Sequence, residues 1–145
     1  MDRPVFFVDR CLGKAVARAL LDAGARVEAH DDHFAHDATD ETWIPQVAAR
    51  GWVILTKDKN IRRRHGEREA ALLAAARIFT LSSGNMRGAV MAAIFVGHLD
   101  TMEQMALSLV PPFLAVVSSD GIEIVYPVVP PDPPDEESQE QPEDS

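Results

Sequence analysis

VFFVDRCLGKAVARALLDAGARVEA, Val5 to Ala29, spells out a strand, a helix and a second strand in 25 residues. Four apolar β-formers, Val5 to Val8, stop at Asp9. Apolar residues then recur at Leu12, Ala15, Val16, Ala19, Leu20 and Ala23, the spacing of one helix face, with Lys14, Arg18 and Asp22 on the opposite face. Gly24 supplies a helix stop, and Arg26 to Ala29 resumes a short strand. Such a β-α-β unit joins two parallel strands, which need a crossover where antiparallel ones need only a turn.

The alternation continues. After the polar segment HDDHFAHDATDE, His30 to Glu41, a shorter helix carries Trp43, Ile44, Val47 and Ala48 and ends at Gly51. Pro45 is tolerated only near a helix start, so either Thr42 is the N-cap or a helix beginning near Asp40 is bent. Trp52 to Thr56 is a third strand, followed by the charged KDKNIRRRHGERE and a helix through Leu72 and Leu73. Arg77 to Leu81 is a fourth. One long amphipathic helix is expected from Met86 through Val90, Ile94, Met102 and Ala106, ending before Pro111-Pro112. Four of the five methionines lie along it or near its end, which suits core packing or a partner-binding face. Phe113 to Val117 and Ile122 to Tyr126 flank Ser118-Ser119-Asp120-Gly121 as a β-hairpin. The expected class is α/β, a three-layer α/β/α domain with a mostly parallel central sheet and a C-terminal β-hairpin.

The 145 residues carry a formal charge of -9, which taken whole argues against a polyanionic ligand. The charge is uneven: residues 127–145 hold seven acids and no Lys or Arg, leaving residues 1–126 almost neutral at -2. Residues 1–126 are therefore read as the domain and residues 127–145, acidic and proline-rich, as a disordered tail. The seven tail acids could compete with a polyanion for Arg62 to Arg64. One cysteine, Cys11, cannot form an internal bridge, and no apolar run exceeds Ala89 to Val96, so a soluble cytoplasmic protein is expected.

In parallel sheets, ligands bind beyond the carboxyl ends of the strands. Asp9 follows the first strand, Asp31 and Asp32 the second, and Asp58 the third, while Asp40 and Glu41 open the next helix. Carboxylates about 4 Å apart repel by roughly 4 kcal/mol at an effective dielectric near 20, so a cluster needs a shared proton or a cation. Oxygen-only ligands favour Mg²⁺ or Mn²⁺, ions suited to phosphodiester hydrolysis. Lys57, Lys59, Arg62, Arg63, Arg64 and Arg68 fall within 12 residues beside Asp58 and suit flanking phosphates, although such a run is also an ordinary solvated helix face.

VFFVDRCLG, TDETW and WVILTKDKNIRRR, in that order, resemble the PIN-like ribonucleases, in particular the small proteins related to VapC-type toxins. The resemblance covers about residues 4–82 and, less specifically, the rest up to 126. It implies a PIN-like fold and a Mg²⁺- or Mn²⁺-dependent endoribonuclease, the toxin of a type II toxin–antitoxin pair. Its catalytic and metal-binding acids carry over to Asp9, Asp40 and Asp58. Asp31 or Asp32 could supply a fourth acid, with Glu41 a further candidate ligand. Lys57, Lys59, Arg62, Arg63 and Arg64 would bind RNA phosphates. Many relatives read Thr-x-Asp-x-Asp where this chain ends in Asn60, an oxygen donor without charge. His30, His33 and Asn60 are candidates for a supporting shell around the ligands. Expected partners are RNA, an antitoxin and a second copy of the chain in a homodimer, with no membrane.

Bland readings stand beside these. Aspartates at strand ends also form turns and helix caps. His30, His33 and His36 recur every third residue but match no standard zinc spacing. Cys11 begins a helix, which lowers a thiol pKa, yet a small buried thiol is the commoner case. Two other functions compete. A non-catalytic PIN-like module binding RNA or protein would explain Asn60. A receiver-type signalling domain also places aspartates after strands one and three, but it needs a lysine after a later strand, and lysine occurs only at positions 14, 57 and 59.

Overall fold

The computed structural model describes residues 3–57, 74–83 and 85–126. Six strands form one sheet: β1 (Val5–Val8), β2 (Arg26–Ala29), β3 (Val53–Thr56), β4 (Arg77–Leu81), β5 (Phe113–Ser118) and β6 (Gly121–Tyr126). Their order across the sheet is β2-β1-β3-β4-β5-β6. All pairs are parallel except β5 with β6, the expected hairpin. The described helices are α1 (Gly13–Asp22), α2 (Asp40–Ala49), α3 (Gly88–Gly97) and α4 (Leu99–Ser108). Short 3-10 turns at Arg10–Leu12 and His30–Asp32 follow β1 and β2.

Strand parity divides the core in two. Phe6 and Val8, Val53 and Leu55, Phe79 and Leu81 face one side, where α1, α3 and α4 supply Val16, Leu20, Phe95 and Met102. Phe7, Ile54, Ile78 and Leu114 face the other, against Trp43, Ile44 and Val47 of α2. Central parallel strands are covered on both faces, which is why they read as unbroken apolar runs. Met91 and Met102 are buried and Met86 and Met105 pack against the same cluster, so these four methionines serve the core.

Two boundaries differ from expectation, and a third choice left open is decided. β3 begins at Val53, one residue after Trp52. Of the two readings of α2, the helix beginning at Asp40 holds: its N-cap is Thr39, whose carbonyl accepts the amides of Thr42 at 2.9 Å and Trp43 at 3.1 Å. Pro45 then lies inside the helix, where it removes the amide that would have bonded the Glu41 carbonyl. The long helix is two helices. Gly97 has weak helix preference, and His98 leaves helical geometry at φ -110° and ψ 12°. Its ring Nε2–H donates to the Ser118 carbonyl at 2.8 Å, fixing the break against the end of β5. The expected helix through Leu72 and Leu73, and the tail, lie outside the described residues.

Candidate active site

The sheet order reverses beside β1: the chain leaves β1 for β2 on one side and returns to β3 on the other. The carboxyl edge between β1 and β3 is thus a topological switch point, where open α/β sheets bind ligands. Asp9 sits there. Its amide donates to the Leu55 carbonyl at 2.9 Å, carrying the β1–β3 ladder one residue past the strand. Its side chain is only 7% exposed, and Oδ2 accepts the Thr56 hydroxyl at 2.8 Å. The Cys11 thiol reaches the same oxygen at 3.5 Å. Oδ1 accepts no hydrogen bond from any described residue.

Cys11 is half-buried in the 3-10 turn after β1, packed against the core, and a lowered thiol pKa does not hold. Burial, reinforced by the charge of Asp9, pushes the thiol up to about 11. It remains protonated near neutrality and acts as a weak donor to the carboxylate.

Asp40 is the first residue of α2 and half-buried, with Glu41 exposed beside it. The positive end of the helix dipole favours both charges. The Trp43 indole N–H donates to Asp40 Oδ1 at 3.0 Å, tying the carboxylate to a residue anchored in the core. Asp31 and Asp32 are exposed in the turn after β2. Lys57 is half-buried directly after β3. Asp58, Lys59, Asn60, Arg62, Arg63, Arg64 and Arg68 lie outside the described residues.

His30 and His33 occupy the rim of an aromatic cluster. His30 is 3% exposed, with ring centroids 6.0 Å from Phe7 and 5.7 Å from both Phe34 and Trp43. Its Nδ1 is 3.2 Å from Asp31 Oδ1, an acid from the candidate ligand group. His33 pairs with Glu28 at 2.7 Å and lies edge-on to Trp52.

Among the described residues, no three His, Cys, Asp or Glu side chains form a metal-binding group. The expected set has its third member, Asp58, outside them. What is described fits a hard divalent cation: a buried carboxylate with one oxygen fixed by Thr56 and the other uncommitted.

Two features carried no distinct sequence signal. Thr56 reads as a β-former ending an apolar run, and its role at Asp9 arises from the pairing of β1 with β3. Beside Asp9 opens a cavity of about 340 Å³ between α1 and the turn after β2, lined in part by Arg10, Lys14 and Arg18. Those cations appear in the sequence only as the solvent side of a helix.

Residues 4–83 match the family described as PIN like domain. The chain is also similar to a Mycobacterium tuberculosis protein named "Putative ribonuclease VapC45", with 34% identity over 105 residues, covering 69% of this chain and 76% of the relative. Together with the α/β/α architecture and the acidic edge at β1, these matches mean that the chain belongs to the PIN-like domain family.

Proposed function

We propose that the protein is a Mg²⁺- or Mn²⁺-dependent endoribonuclease and the toxin of a type II toxin–antitoxin pair. The observation that carries the reading is the Asp9 carboxylate, buried at the β1–β3 switch point of a PIN-like chain with one oxygen held by Thr56 and the other uncommitted. The similarity to a protein named as a ribonuclease supports RNA as substrate.

In this proposal Asp9, Asp40 and Asp58 hold the cation. When bound, it supplies the positive charge that activates water and offsets charge developing on the phosphate. Thr56 fixes the orientation of Asp9, and Trp43 that of Asp40, so neither carboxylate must be ordered when substrate arrives. Lys57, Lys59 and Arg62 to Arg64 hold flanking phosphates. A cognate antitoxin restrains the activity in the cytoplasm, where a single unpaired thiol such as Cys11 persists.

The purified protein is expected to cleave single-stranded RNA with Mg²⁺ or Mn²⁺ and to stop on chelation. Asp9→Asn and Asp58→Asn should each lower turnover by about 10²-fold or more. RNA binding without cleavage over long incubation would instead make the chain a binding module. Unchanged cleavage in both variants would place the chemistry elsewhere.

A further inference from the structure

The cavity beside Asp9 has two unlike walls. On one, Arg10, Lys14 and Arg18 follow each other at four-residue intervals from the 3-10 turn into α1, the spacing of one helix face. On the other, Asp31 and Asp32 stand in the turn after β2. Between them Ala17 and Leu21 supply apolar surface, and Leu21 is 52% exposed.

The cations are available. Lys14 makes no hydrogen bond or ion pair among the described residues. Arg18 makes only an exposed 3.6 Å contact with Asp22, an interaction worth little in water. Arg10 Nη1 approaches His36 Nε2 at 3.3 Å, which leaves most of its donors unused.

We propose that this cavity is a nucleotide subsite, seating one RNA residue next to the scissile phosphate. The inference rests on the ribonuclease reading and extends it to substrate position and base preference. Its volume of about 340 Å³ falls at the lower end of small-molecule sites and suits one nucleobase with its ribose. Phosphate lies against the α1 wall, since Asp31 and Asp32 repel it from the other. The base rests on Leu21 and Ala17 and turns its edge to the acids. Carboxylates only accept hydrogen bonds, so bases whose exocyclic amine offers two hydrogens (adenine, cytosine, guanine) fit better than uracil, whose one edge donor, N3–H, lies between two carbonyl oxygens that the acids repel. The subsite lies on the α1 side of Asp9, so the RNA strand would run from the Asp9 carboxylate along the cationic face of α1.

Binding of labelled single-stranded RNA by the full chain in chelator, followed as a function of salt, tests the first part. Lys14→Ala/Arg18→Ala removes two exposed side chains and should leave folding intact, as circular dichroism will report. Each phosphate no longer neutralised lowers the slope of log K against log salt by about 0.7, so the double variant, which empties the one phosphate seat, should lose about 0.7, with affinity down on the order of tenfold at low salt. With metal restored, KM should rise and kcat hold, and Lys14→Arg/Arg18→Lys should recover the wild-type slope. Mapping wild-type cuts on mixed-sequence RNA tests the second part: uracil should be depleted at one position beside the cut. An unchanged slope and affinity, or indifference to the base at both flanking positions, overturns the subsite while wild-type cleavage upholds the nuclease. Absence of metal-dependent cleavage by the wild type strikes the nuclease reading itself.

Discussion

Asp9 is held by two side-chain donors to its carboxyl and by one backbone bond in which its own amide donates. Thr56 gives it a short hydroxyl bond, Leu55 anchors its backbone, and Cys11 adds a thiol. The thiol carries a measurable consequence. Its pKa is about 11 in the folded chain against an ordinary 9.0, so folding favours the protonated form. The associated stability is fully present below pH 9 and is lost as pH rises through about 11. Urea unfolding between these limits should show the wild type losing stability more steeply than Cys11→Ala, and alkylation of native protein near pH 8 should be slow compared with unfolded chain. Equal pH profiles would mean that the thiol is not buried against Asp9. The aspartate was legible in the sequence because a strand run stops at it. Its partner hydroxyl was not, because Thr56 meets Asp9 through strand register, 47 positions along the chain.

At the scale of elements, apolar periodicity located nearly every strand to within a residue, since central parallel strands must be apolar on both faces. The split between α3 and α4 escaped it: apolar spacing runs on across Gly97, and the cause of the break is the His98 bond to Ser118, 20 positions away. The carboxyl ends of β3 and β4 illustrate the same limit. Thr56 and Thr80 are register partners, and both are wholly buried. Thr56 serves Asp9, whereas the Thr80 hydroxyl has no hydrogen-bond partner among the described residues. An unsatisfied buried hydroxyl costs about 1–3 kcal/mol, and valine has nearly the same shape. Thr80→Val should therefore raise unfolding stability by about 1 kcal/mol, measured by denaturant midpoint at unchanged m-value. A loss of similar size would show that the hydroxyl has a partner in solution.

For the whole molecule, net charge is informative only when divided: residues 127–145 carry seven acids, residues 1–126 are nearly neutral, and at the carboxyl edge Asp31 and Asp32 line one cavity with Arg10, Lys14 and Arg18. The order VFFVD, TDETW, WVILTKD was enough for the family, while the basic face of α1 needed the folded chain to bring it beside Asp9. The burial of that aspartate also sets a trade between working and lasting. A carboxylate taken out of water without a cation is an expense of folding that only function justifies. Asp9→Asn keeps an oxygen for Thr56 but removes the charge, so in metal-free buffer it should melt at a higher temperature than the wild type. Adding Mn²⁺ should narrow or reverse that gap, because binding to the native state alone stabilises the wild type by mass action. On the proposed metal-dependent reading, the apo protein would be less durable than the loaded one, and occupancy by metal would set its lifetime as well as its activity.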